Sequence, residues 1–309
     1  MKNEAVLKLN RITKIYGKVK AVDDVNMTIK KGDIYGLIGK NGAGKTTLLR
    51  MVASLVFADS GEIELFGETT EAGLQEARTR MGSVIEMPAL YPNLTAVQNL
   101  EYYQRIKGIP NKSIIGEKLE LVGLTDTGKK KFKDFSLGMK QRLGIALALL
   151  NNPDFIILDE PINGLDPAGI VEMREFLKKL NQEQNITILI SSHLLTELSL
   201  VATRYGIIDK GRLIKELTDD ELKEACKQSL VVTVDDASKA VSVLETIIGI
   251  KNFKVVSASE IKIYDATCDS AEINYQLVSN GVRVLNIKEM GDSLEDYFMS
   301  LIEEGASDV

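Results

Sequence analysis

Histidine is almost missing from this chain: His193 is the only one in 309 residues, so imidazole chemistry has a single possible source. Cysteine is nearly as scarce. Cys226 and Cys268 lie far apart with no metal-ligand spacing around them, which argues against a disulfide framework or a zinc site and fits a reducing compartment. Basic residues are in deficit, 38 Lys and Arg against 44 Asp and Glu for a net charge of −6, which argues against a nucleic-acid partner. No apolar run approaches the ~18 residues of a membrane span. The opening MKNEAVLKLNRITKIYG has no apolar core, so no signal peptide is expected. What remains is 44% hydrophobic and 27% charged, the balance of a globular protein, and the length implies about two domains.

What is present alternates. VNMTIKKGDIYGLIGKNGAGKTTLLRMVASL starts with Val25, Met27 and Ile29 at strand spacing and turns at Lys31-Gly32. It then reads as a short buried strand, a glycine-rich loop and an amphipathic helix. Residues 86–150 read as mostly helical. FIILDEP, bounded by Pro153 and Pro161, and ITILISSH are continuous apolar runs, as expected of strands buried on both faces of a parallel sheet. GIVEMREFLKKLNQEQ between them is an amphipathic helix, and RYGIIDKGRLIKEL closes with a hairpin at Lys210-Gly211. The class is therefore α/β. Near residue 218 the pattern restarts. Thr218 and Glu221 have capping-box spacing, and the segments beyond follow the order β-α-β-β-α-β, which resembles a ferredoxin-like split βαβ unit. The expected division is 1–217, with a helical subdomain at about 86–150, and a small α+β domain at 218–309.

The run Gly39, Lys40, Asn41, Gly42, Ala43, Gly44, Lys45, Thr46, Thr47 fits G-x-x-x-x-G-K-[ST] between a strand and a helix. Gly42 and Gly44 permit a backbone path whose N–H groups point at phosphate oxygens. The helix N-terminus adds partial positive charge, Lys45 reaches the β- and γ-phosphates, and Thr46 offers a hydroxyl to Mg2+. A chance glycine-rich turn would not need that flanking context. FIILDEP delivers Asp159 and Glu160 into the crevice at the strand ends, where ligands bind in α/β sheets. Asp159 would hold Mg2+ through water, and Glu160 would orient and deprotonate the attacking water. His193 alone, after an apolar run, reads best as an ordinary structural residue.

FSLGMKQRLGIALALL, residues 135–150, changes that reading. It resembles the signature segment of ATP-binding cassette (ABC) ATPases, usually Leu-Ser-Gly-Gly-Gln before a basic helix; Ser136 and Gly138 match. With NGLDP at 163–167 and SSH at 191–193 in the family order, residues 4–217 resemble an ABC transporter ATP-binding subunit. The resemblance implies a P-loop NTPase cassette, a RecA-like core plus a helical subdomain, that hydrolyses ATP with Mg2+. It implies two subunits, here a homodimer, sandwiching two ATP molecules. Ser136 and Gly138 would then bind the γ-phosphate held by the other subunit, and Asp166 would cross the interface. Tyr16 occupies the position of the aromatic that stacks on adenine, in preference to a core role. His193 occupies that of the switch histidine, which would hydrogen-bond the γ-phosphate. The implied partners are a second ATP-binding subunit and a transmembrane permease, at the cytoplasmic face of the membrane.

Two departures refine the resemblance. Glu86 stands where the family usually has a glutamine contacting Mg2+ and the attacking water, so it is a candidate metal and catalytic residue of altered charge. Leu137 replaces the first signature glycine, bringing a side chain where backbone normally approaches phosphate, and Met139 replaces the glutamine. Both departures, and the ending SLEDYFMSLIEE, resemble bacitracin-resistance and lantibiotic-immunity exporters. An importer subunit fits those variants less well. Non-transport ABC ATPases usually carry two cassettes or long coiled coils, and this chain has neither. The run Lys129–Lys133 reads as a solvated basic face, and residues 218–309 show no catalytic constellation.

Overall fold

The computed structural model describes residues 4–87, 89–111, 113–226, 229–264, 269–290 and 294–307, so the reading of Cys268 lies outside them. The chain divides into two compact units: residues up to Asp219 together with those from Leu301 onward, and Asp220–Ser300. The second unit is thus shorter than the 218–309 expected from sequence. Leu301 and Ile302 are buried, and packing rather than chain continuity decides where they belong.

In the first unit, β1 (Ala5–Tyr16) and β2 (Val19–Lys30) form an antiparallel pair extended by β4 (Ser60–Leu65), in the order β2-β1-β4. β3 (Ile34–Ile38) leads through the glycine loop to α1 (Lys45–Val52); α2 (Glu71–Thr79) precedes β5 (Met81–Val84). The main sheet adds β6 (Phe155–Asp159), α6 (Pro167–Gln184), β7 (Thr187–Ser192), α7 (Leu195–Ser199), β8 (Arg204–Asp209) and β9 (Arg212–Thr218). Its strand order is β5-β6-β7-β3-β8-β9, parallel except for β9. The strands that read as unbroken apolar runs are the central ones: all of β3 and β7 is buried, as is β6 up to Leu158.

Residues 86–150 contain α3 (Ala96–Ile106), α4 (Ile114–Leu121) and α5 (Leu137–Ala148), packed on a core that includes Leu100, Ile115, Leu119, Phe132, Phe135, Leu143 and Leu150. The described residues that open that stretch, 86, 87 and 89–95, are not helical. Buried Asn99 fixes Tyr91 and Thr95 among them: its side chain accepts from Tyr91 N at 2.8 Å and donates to Tyr91 O and Thr95 O at 3.2 and 3.0 Å. α5 lies against β5, where Gly82 allows the close approach; a Cβ there would sit 2.4 Å from Ala148 O.

The second unit begins within α8 (Asp219–Ala225) and continues with β10 (Ser229–Val234), α9 (Ala237–Val243), β11 (Phe253–Ser257), β12 (Glu260–Ile263), α10 (Ser270–Ser279) and β13 (Val284–Met290); α11 (Leu294–Ser307) ends the described chain. Its sheet order is β11-β12-β10-β13, antiparallel throughout, which is the arrangement of a split βαβ unit. Asp236 and Asp269 cap its helices α9 and α10, and Val232, Leu244, Ile261, Ile273 and Leu277 fill its core.

One ion-pair cluster ties the two sheets of the first unit together beside the glycine loop. Asp23 on β2 accepts from Lys20 at 2.7 Å and from Arg212 on β9 at 2.8 and 2.9 Å, while its amide donates to Gly211 O. The hydrogen bonds from Lys20 and then Arg212 hold the Asp23 carboxyl below its ordinary value. The folded chain therefore takes up this proton less readily than the unfolded one. The stabilisation is complete above the ordinary carboxylate range and is lost as pH falls through the depressed value. Asp23→Asn should make the fall in urea-unfolding stability between about pH 5 and 2 shallower than in the parent; an unchanged slope would show that the cluster does not couple to folding.

Candidate functional site

The glycine loop is shaped by its neighbours. Gly44 caps α1 with φ 108°, and a Cβ there would meet Ala21 O at 2.4 Å, so both conformation and space demand glycine. Gly211 of the β8–β9 turn donates to Ala43 O at 2.9 Å, and Gly39 N donates to Ser192 O at 3.3 Å, fixing the loop to β7 and the hairpin. Gly42 also has a positive φ, 83°. Successive N–H groups ahead of a helix N-terminus make an anion-binding concavity. Asn41 is exposed at its tip, Ala43 is buried beneath it, and Thr47 lies in the first turn of α1.

Lys45 is only 5% exposed, yet its ammonium is fully engaged. It donates to Gly39 O at 2.7 Å and Lys40 O at 3.3 Å, and pairs with Glu160 Oε1 at 3.2 Å. Thr46 Oγ1, the next residue on α1, donates to Asp159 Oδ2 at 2.9 Å. The other Asp159 oxygen accepts from Ser191 Oγ at 2.6 Å, the residue opposite it in the β6–β7 register. Ser191 Oγ in turn accepts from Glu160 N at 2.9 Å. Glu160 leaves the strand with a left-handed φ of 48°, and its Oε2 lies 2.6 Å from His193 Nδ1. One carboxylate is thus shared between an ammonium and an imidazole, directly beside a hydroxyl–carboxylate pair.

Among the described residues no three His, Cys, Asp or Glu side chains converge as a metal cage. Thr46 and Asp159 instead offer two adjacent oxygens, the sparse set that suits a magnesium ion completing its shell with water and phosphate. The residues present fit that group. Ser191 is the member of this cluster that sequence reasoning passed over. Its signal was a hydroxyl at the end of an otherwise apolar strand, beside the lone histidine.

The remaining candidates make no hydrogen bond to this cluster among the described residues. Glu86, φ 62°, is not hydrogen-bonded to Thr46 or Asp159; its carboxylate pairs with Arg50 on α1. It does line a cavity of about 370 Å³ with Thr46, Asp159, Glu160 and Leu137. Ser136, Gly138 and Asp166 line another, of about 660 Å³. Ser136 caps α5 by accepting from Met139 N at 3.3 Å, and Asp166 caps α6 by accepting from Gly169 N at 3.1 Å. Leu137 turns towards Gly164 of the same chain, whose Cβ position lies 3.0 Å from Leu137 Cδ2. Tyr16 ends β1, half exposed, with the Lys14 ammonium 5.5 Å from its ring centre; it is not a core residue.

Comparison with known proteins shows the family. Residues 22–163 match the family model described as ABC transporter. The chain is 46% identical over 300 residues to the bacitracin transport ATP-binding protein BcrA of Bacillus licheniformis, covering 97% of this chain and 98% of that one. It is 44% identical over 211 residues to the lantibiotic transport ATP-binding protein SrtF of Streptococcus pyogenes, 68% of this chain and 90% of that one. Among solved structures, the dimeric post-hydrolysis state of the ATP-binding cassette MJ0796 bound to ADP and Pi superposes with a TM-score of 0.62 at 27% identity, over 69% of this chain and 98% of that one.

Asp166 combines a structural job with its expected interface role, and the two separate experimentally. Asp166→Ala should cost about 1 kcal/mol of unfolding free energy through the lost cap, and Asp166→Ser should restore most of it. Equal destabilisation by both would show that the cap contributes little.

Proposed function

The chain belongs to the ABC transporter family of ATP-binding subunits and is an ATPase; from that premise we propose that it binds ATP with Mg2+ at the glycine loop and uses the hydrolysis to drive a separate membrane permease that removes a peptide antibiotic. The loop N–H groups and Lys45 bind the phosphates. Thr46 and Asp159 hold Mg2+, which supplies neutralisation of the charge developing on the phosphate oxygens. Glu160 takes the proton of the attacking water. His193 keeps that carboxylate oriented through Nδ1 and reads the γ-phosphate. Tyr16 stacks on the adenine. Ser136 and Gly138 complete the site of a second copy across a homodimer interface, where free N–H groups at the start of α5 favour an anion, and Asp166 links the two sites. Glu86 modulates the metal side from its loop.

The observation that carries the hydrolytic reading is Glu160, its two oxygens divided between Lys45 at 3.2 Å and His193 at 2.6 Å at the end of a buried strand. A carboxylate held in that way is positioned as a base without being free to wander. No helix among the described residues is long and apolar enough to cross a membrane. The peptide-antibiotic cargo draws its support from the two transport relatives named above.

Glu160→Gln should keep ATP binding, lower turnover about 10²–10⁴-fold, the usual size of a lost general base, and trap an ATP-dependent dimer by size-exclusion chromatography. Unchanged turnover would sink the assignment of Glu160. Co-expression with the cognate permease in an antibiotic-sensitive host should protect against bacitracin or a lantibiotic, and Lys45→Ala should abolish that protection. Growth inhibition unaltered by the wild-type pair would remove the antibiotic cargo while leaving the ATPase intact.

A further inference from the structure

Thr46 and Arg50 are four residues apart on α1 and so share one face, a single helical turn from each other. Thr46 is bonded to Asp159, and Arg50 is bonded to Glu86. The cavity of about 370 Å³ is lined by three carboxylates, Glu86, Asp159 and Glu160. Two of them are held from several sides: Asp159 by Thr46 and Ser191, Glu160 by Lys45 and His193. Glu86 has Arg50 alone among the described residues. An amide at position 86 would add no charge to this wall and would need no cation. A carboxylate there adds a negative charge to the wall, which Arg50 offsets.

We propose that Arg50 is a positioning residue for Glu86, an ion-pair lock on α1 that neutralises this carboxylate and keeps it one helical turn away from the Thr46–Asp159 pair. The idea rests on the Mg2+–ATP reading of that pair. With the lock intact, the metal side is served by Thr46 and Asp159. When the lock opens, Glu86 turns along the cavity wall and joins them. Position 86 thereby acquires two states, paired with α1 or facing the metal, which a glutamine would not be held between by charge. Arg50 also sits in the last turn of α1, where any cation favours the helix dipole. That role does not depend on what occupies position 86, and the test separates the two.

The measurement is a Mg2+ titration of the binding of a fluorescent ATP analogue to the purified full-length protein, with folding checked by thermal denaturation. Arg50→Gln should lower the Mg2+ concentration at half-maximal binding about five-fold, the scale of one partly exposed ion pair. Arg50→Lys, which keeps the charge, should stay within about two-fold of the parent. In a Glu86→Gln background, Arg50→Gln should shift the midpoint by less than about two-fold, because there is no carboxylate to release. Arg50→Met, which preserves the packing of the stem, replaces Arg50→Gln if the latter does not fold. Equal shifts in the two backgrounds would assign Arg50 to the helix or to the nucleotide and overturn the lock, as would no shift in the Glu86 background. Failure of the parent to bind the analogue, or unimpaired binding by Lys45→Ala, would instead overturn the ATP reading itself and the lock with it.

Discussion

The phosphate end of this molecule depends on one carboxylate. Asp159 joins three elements that are distant in sequence: its own strand β6, the first turn of α1 through Thr46, and the end of β7 through Ser191. Leu158 and its predecessors on β6 are buried, and neighbours on both edges hold the register. A slip of one residue would send the side chain to the opposite face of the sheet and break both bonds at once. Once Asp159 is fixed, the rest is constrained in turn. Ser191 accepts the Glu160 amide, Glu160 turns out of the strand at positive φ, and its carboxylate meets Lys45 and His193. The only histidine in the chain is where this sequence of contacts needs it, two residues beyond Ser191.

Much of this was legible in the sequence because the determinants are local. A strand buried on both faces shows as an unbroken apolar run, and a phosphate loop shows as glycines between strand and helix. What was not legible is set by through-space neighbours. Gly44 is required by the carbonyl of Ala21, 23 positions earlier, and no pattern within the loop reveals that. The work of Ser191 depends on the register between β6 and β7, which the separate strands do not encode. Residues 91–95 lie in a stretch that reads as mostly helical, yet the buried Asn99 amide binds backbone groups of Tyr91 and Thr95 and holds them in a loop. The prolines at 88 and 92 and the Thr95–Gln98 capping box mark the end of a loop, but the bonds from Asn99 back to it are not legible in the sequence.

Leu137 shows the same limit from the other direction. Its side chain stands where the family pattern has a glycine and lines the same cavity as Ser136, Gly138 and Asp166. It also turns towards Gly164, while Gln141, one turn along α5, donates to Asn163 O at 3.3 Å and Arg142 pairs with Glu172 of α6. The start of α5 is therefore clasped to the turn between β6 and α6. Ser136, Gly138 and Asp166 belong to one connected body within the chain rather than to three independent segments.

Two of the departures from the family pattern, Glu86 and Leu137, are 51 positions apart in sequence and yet line the same cavity as Thr46 and Asp159. That proximity gives them a shared physical meaning. Both line the wall that also carries Asp159 and Glu160, so a side chain at either position borders the same space as the acidic pair. Glu86 is itself largely exposed, so water solvates its carboxylate and the Arg50 pair supplements that hydration rather than replacing it. Arg50 supplies the pairing cation from the helix that also carries Lys45 and Thr46, so the charge at position 86 and the face of α1 form a single electrostatic arrangement, bordered by the side chain at 137.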